Sequence, residues 1–165
     1  MVDAKKWAWP RVDQKEFVHA ARTAIAAVSS LLIARSFRLP DPYWAAIATM
    51  IVMQSTLGAA WTVSKDRLAG TALGAAVGGL LATYAGQSVA VFGAGVFALG
   101  LLCAILRIDR SAYRYAGITL VIVMLIARTE PAWIIAIHRF IEISVGIAVG
   151  LILTAVWPES EPATA

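Results

Sequence analysis

Two arginines and a glutamate stand where charge is expensive. Arg22, Arg139 and Glu142 fall inside long apolar runs of a 165-residue chain. An Arg at mid-bilayer costs about 2.5–3.5 kcal/mol on insertion scales, so such a group faces an interior or a partner. Glu142 follows Arg139 by three residues, one helical turn on the same side, so the two can pair. An excess of guanidinium over carboxylate would leave a positive place suited to an organic carboxylate, which Arg holds bidentately. Arg67, at the head of another apolar run, is a third such group, and Thr71 and Gln54 offer neutral hydrogen bonds. Arg22, Arg67, Arg139, Thr71 and Gln54 are therefore the candidate substrate-binding residues. Two plainer readings stay open beside this one. Arg139 and Glu142 can pair only to hold helices together, and Arg22 can snorkel to the membrane interface.

Histidine titrates near physiological pH. His138 adjoins Arg139, and His19 precedes Arg22 by three residues. His138 and Glu142 are the candidates for proton coupling or for a charge partner, with an interfacial role the alternative for both histidines. No second metal ligand is spaced beside either His, so no metal is expected. The glycine pair Gly74 and Gly78 lacks the Lys-Ser/Thr that completes a phosphate loop. No nucleophile–base pattern emerges. The chain reads as a non-enzyme without a cofactor.

The elements that must carry these residues follow from composition. Hydrophobic residues make up 60% of the chain and charged ones 15%, with mean hydropathy +0.76. A soluble domain has about 25% charged residues, so lipid is the natural solvent here. The lone Cys103 excludes an internal disulfide. Six apolar segments are expected as helices near 17–35, 43–60, 68–86, 88–106, 113–127 and 132–157, because lipid tolerates no unpaired backbone. Strand-length alternation is missing, which excludes a β-barrel. The expected organisation is a cytoplasmic or interfacial segment over 1–16, a transmembrane domain over 17–158 and a short tail over 159–165.

Lys5, Lys6, Arg11, Lys15, Lys65, Arg67, Arg107, Arg110 and Arg114 fall on one side, and Arg35, Arg38 and Arg128 on the other. The positive-inside rule then puts both termini in the cytoplasm. Basic residues spread over several loops also argue against a nucleic-acid patch. Trp7, Trp9, Tyr43, Trp44, Trp61, Tyr115, Trp133 and Trp157 read as interfacial aromatics. Stacking of Trp44 or Tyr115 on an aromatic substrate is a secondary reading.

The two halves resemble each other at an offset near 72. RLAGTALGAAVG over 67–78 aligns with RFIEISVGIAVG over 139–150, and WAAIATMIVM over 44–53 aligns with YAGITLVIVM over 115–124. Three spans per half is an odd number, so the second half would enter from the opposite side, as a 3+3 inverted repeat. The short second and fifth segments occupy matching positions, which in such folds point to the binding site. Gly74 and Gly78, and Gly146 and Gly150, each lie four residues apart and suit helix-packing seams. The same close packing would set Arg67 and Arg139 against the short segments.

With those residues in view, the chain resembles the fusaric acid resistance (FUSC) family, which includes bacterial aromatic acid exporters and is similar to the plant aluminium-activated malate transporters. PYWAAI over 42–47, KDRLAGTALGAAVG over 65–78, YAGIT over 115–119, RFIEISVG over 139–146 and Trp157-Pro158 carry the resemblance. It implies an all-α, polytopic, six-helix unit in the inner membrane that moves organic anions, often aromatic carboxylates, outward. It also implies association of two units, here as a homodimer or higher homo-oligomer. The expected function is transport or channel conduction of such anions. The alternative is a non-transporting scaffold or partner subunit, suggested by the lack of a large soluble domain.

Overall fold

A computed structural model describes residues 13–54, 56–126 and 130–158. Six helices and no strand occur among the described residues. They are α1 (Gln14–Ser36), α2 (Tyr43–Val52), α3 (Leu57–Tyr84), α4 (Val89–Ile105), α5 (Arg110–Leu125) and α6 (Ala132–Val156). Local chemistry sets their ends. Thr56 and Ser88 accept hydrogen bonds from the Ala59 and Val91 amides at 3.3 Å and so cap α3 and α4. Pro42 and Pro131 stand at the starts of α2 and α6, where a missing N–H costs nothing. α1 and α4 finish alike. Leu39 N bonds to Ala34 O and Ile108 N to Cys103 O, across Arg38 and Arg107 in the left-handed region at φ 54° and 53°.

Two of the expected boundaries are corrected. The second segment was expected over 43–60, but α2 stops at Val52, where Met53 turns extended at ψ 107°. The third was expected from residue 68, but α3 starts at Leu57. Lys65, Asp66 and Arg67 therefore lie within a helix and not in a loop. Charged side chains do not break helices, and here Ser111 donates to Asp66 while Arg67 sits on Tyr115. At about 1.5 Å per residue the 10-residue α2 is about 15 Å long, half of a hydrocarbon core. Among the described residues, α1 and α6 are the two helices both long and apolar enough to cross a membrane on length and composition. The expectations for Trp7, Trp9, Arg128 and the 159–165 tail fall outside the described residues.

α3 and α6 pack together at the centre. α3 lies along α5, and α6 lies along α2 and α1. The seams depend on small residues. A Cβ at Gly74 would strike the Ala116 carbonyl oxygen, and one at Gly146 would strike the Ala45 carbonyl oxygen. Gly78 faces Leu120 and Val123, while Gly150 faces Val52. These contacts correspond at offsets of 71–72, so α3 on α5 and α6 on α2 are built alike. Thr49 Oγ1 adds a hydrogen bond of 2.9 Å to Gly146 O across the second seam.

The burial pattern inverts that of a water-soluble bundle. Ala26, Ala45, Ala48, Ala60, Ala112 and Ala116 fill the inside beside Arg22, Thr49, Arg67, Arg139 and Glu142. Phe17, Leu32, Leu80, Phe97, Ile105 and Ile152 face outward. Leu99, Leu120 and Met124 are buried as well, but charged and small groups inside with many large aliphatics outside suit a solvent as apolar as the side chains.

Gly74→Ala and Gly146→Ala are expected to destabilise by about 1–3 kcal/mol each, because backbone oxygens have nowhere to retreat. Gly93→Ala, which meets nothing within 4 Å, is expected to be neutral or to stabilise by about 0.5–1 kcal/mol. Thermal unfolding in detergent distinguishes the two outcomes.

Candidate functional site

The three guanidinium groups are buried, and the fold satisfies each differently. Arg22 shares an α1 face with Ala26 and Ser30, the face turned inward. Its Nη1 donates to Trp157 O at 2.6 Å and its Nη2 to Gln54 O at 2.5 Å. Trp157 ends α6, and Gln54 lies just beyond α2. Arg22 thus binds the carbonyl ends of two helices, where the macrodipole favours a cation.

Arg139 meets carboxylates. Nη2 contacts Asp41 Oδ2 at 2.8 Å, and Nη1 contacts Glu142 Oε2 at 3.1 Å. The Asp41 amide donates to Glu142 Oε1 at 2.8 Å, and the Tyr43 hydroxyl donates to Asp41 Oδ1 at 3.0 Å. Below the guanidinium lies the Trp44 ring, 4.4 Å from its centroid. Glu142 is wholly buried, while Asp41 keeps 16% side-chain exposure. The cluster closes a contact between α6 and the link that joins α1 to α2.

Arg67 has the same aromatic floor without the acids. Its guanidinium lies 5.0 Å from the Tyr115 centroid, as Arg139 lies over Trp44. It is 4% exposed, and no carboxylate contacts it among the described residues. Arg67 Nε and Ser64 Oγ, one turn earlier on α3, are both buried with no hydrogen-bond partner. Thr71 is buried one turn later on the same helix. In the alignment of the halves, Ala112 and Gly70 stand where Asp41 and Glu142 stand in the other centre.

The residues singled out in the sequence thus separate into three places. Arg67 and Thr71 lie together. Arg139 and Glu142 pair, with His138 beside them on α6 and half-buried. Gln54 joins Arg22 through its backbone carbonyl, while its side chain donates to Ile51 O at 3.2 Å. Sequence reasoning missed Asp41 and Ser64. Asp41 was signalled only by its place between two prolines ahead of the Tyr-Trp pair, and Ser64 only by its three-residue spacing from Arg67. Among the described residues no three potential metal ligands gather. A groove of about 710 Å³ between α3 and α6 is lined by Ala72, Ala76, Leu80, Trp133, Ile137 and Phe140. It shares no residue with the three centres and is almost wholly apolar.

Comparison with known proteins places these features. Residues 26–153 match the family profile described as "Fusaric acid resistance protein-like". The Escherichia coli K12 protein called "Uncharacterized transporter YdhK" is 30% identical across 99% of this chain and 27% of its own length. Its Salmonella typhimurium counterpart is 27% identical across 95% of the chain and 24% of its length. The "Inner membrane protein YeeA" of Escherichia coli K12 is 26% identical across 86% of the chain and 41% of its length. The chain therefore spans between about a quarter and two-fifths of these relatives. No solved structure matches it.

Replacing Arg22 by Met leaves two part-buried helix-end carbonyl groups without their donor, at up to about 1–3 kcal/mol for each. Arg22→Met is expected to lower the thermal unfolding midpoint in detergent, and Arg22→Lys to recover part of the loss. An unchanged midpoint in Arg22→Met would remove the stapling role.

Proposed function

The chain belongs to the fusaric acid resistance protein-like family, and from that premise we propose that it is a membrane transport unit for organic carboxylate anions, aromatic ones foremost. The unit sits in the inner membrane with both termini in the cytoplasm. Its helices form a 3+3 inverted repeat in which α1–α3 and α4–α6 run in opposite senses through the bilayer. The matched pairs Arg67 on Tyr115 and Arg139 on Trp44, with Gly74 on Ala116 and Gly146 on Ala45, support that reading. So do the outward Leu, Ile and Phe side chains. Two or more units assemble into the working homo-oligomer.

One observation carries the site: a buried guanidinium, Arg67, that no carboxylate contacts among the described residues. Arg22 and Arg139 are committed to carbonyls and acids of the protein itself. Arg67 holds the anion, Ser64 and Thr71 offer hydroxyls, and Tyr115 gives a flat face that extends to an aromatic ring. A guanidinium between a ring and a carboxylate uses both its π-face and its N–H edge. Glu142 orders Arg139, and Glu142 and His138, the residue before Arg139 on α6, are the candidates for proton coupling.

The rival reading is a scaffold subunit that moves nothing. It is favoured by the commitment of Arg22 and Arg139 to holding helices together. Benzoate flux into proteoliposomes decides between them. Losing a charge-assisted hydrogen bond of about 1.5–3 kcal/mol corresponds to roughly ten- to hundredfold in affinity. Arg67→Gln is expected to cut flux at subsaturating benzoate by about that factor, with Arg67→Lys in between. Undiminished flux in a folded Arg67→Gln protein overturns the site. Wild-type flux no faster than in protein-free vesicles favours the scaffold.

A further inference from the structure

We infer that Arg139 is a second anion seat of the same pathway, filled in this conformation by the chain's own Asp41, which acts as a tethered stand-in for the substrate carboxylate. The inference rests on the reading of Arg67 as an anion seat and adds what the other centre does.

The two centres are alike where they are built and unlike where they are charged. Each has an arginine from a central helix lying on an aromatic ring from a short helix, at 4.4 Å for Trp44 and 5.0 Å for Tyr115. Each is flanked by a glycine seam that brings the short helix against the central one. Among the described residues only the Arg139 centre contains carboxylates, Asp41 and Glu142, and these differ. Glu142 is rigidly placed on α6, wholly buried and one turn from Arg139. Asp41 is not part of any helix. It lies on the link after α1 that holds Arg38 at φ 54° and carries Pro40 and Pro42, and its side chain reaches solvent.

Asp41 therefore presents to Arg139 what a free carboxylate would present: one oxygen on Nη2 at 2.8 Å and the other on a phenol hydroxyl at 3.0 Å. An incoming anion takes the Nη2 contact and Asp41 swings to water, its charge regaining hydration. The Asp41 amide bond to Glu142 Oε1 at 2.8 Å is the hinge contact that must yield with it. The exchange swaps one carboxylate for another, so the charge at Arg139 is unchanged throughout. This lets an anion pass a charged centre without leaving a guanidinium bare. It also makes the link a plug that yields only to a ligand of the same chemistry.

The test is equilibrium binding of benzoate to the full chain in nanodiscs, made in an Arg67→Gln background so that the first seat does not contribute. Asp41→Asn in that background keeps the shape of the side chain and removes the competing charge. It is expected to raise benzoate affinity by about tenfold or more, the worth of one charge-assisted contact. Adding Arg139→Gln should abolish the gain, and Trp44 emission should report the binding, with Trp44→Phe removing that signal. Unchanged affinity in Asp41→Asn overturns the inference, as does a gain that survives Arg139→Gln. Asp41→Ser serves as the second variant where Asp41→Asn does not purify as a single species. Failure of the Arg67 seat reads out separately, as wild-type binding that is indifferent to Arg67→Gln.

Discussion

A guanidinium keeps its charge wherever it is placed, so burying one among apolar helices obliges the fold to offer it oxygen or an aromatic face. Three are buried here, and the rest of the bundle is arranged around them. Arg22 draws two helix ends together by taking their last carbonyls. Arg139 draws the link after α1 onto α6 by taking two acids. Arg67 lies on the Tyr115 ring. The Arg22–Trp157 and Arg139–Asp41 contacts span 135 and 98 residues of sequence and tie the first half of the chain to the second.

Those contacts need close helices. Alanine and glycine supply the closeness, and the carbonyl oxygens of Ala45 and Ala116 come so near Gly146 and Gly74 that no side chain fits between. The seams in turn set the aromatic rings beneath the arginines, because Trp44 adjoins Ala45 and Tyr115 adjoins Ala116 in sequence. Packing and electrostatics are therefore one construction: a larger residue in the seam would lift the ring from its cation. With small residues spent inside, the bulky aliphatics face outward, which only a lipid environment tolerates over so much surface.

The difference between the two arginine centres comes from few residues. Asp41 and Glu142 pair with the arginine at one centre, and Ala112 and Gly70 stand in their places at the other, where among the described residues no acid meets Arg67. On the proposed reading, these unequal charges would give two places where an anion meets a guanidinium at different cost.

The sequence by itself determined the helices, the offset of 71–72 between halves, the glycine seams and the need of each buried charge for a partner. All of these are local or periodic properties, readable from 3.6-residue spacing and from the cost of charge in hydrocarbon. Glu142 as the partner of Arg139 was legible for the same reason, being one turn away. Helix boundaries around residues 53–67 were not, since the charged triplet Lys65-Asp66-Arg67 looks like a loop until Ser111 and Tyr115 are seen to receive it. Only the tertiary structure decided that Asp41 joins Arg139, that Gln54 serves Arg22 through its backbone, and that Arg67 meets no acid among the described residues. Such choices depend on which surfaces meet across distant stretches of chain, and no spacing along one helix encodes that.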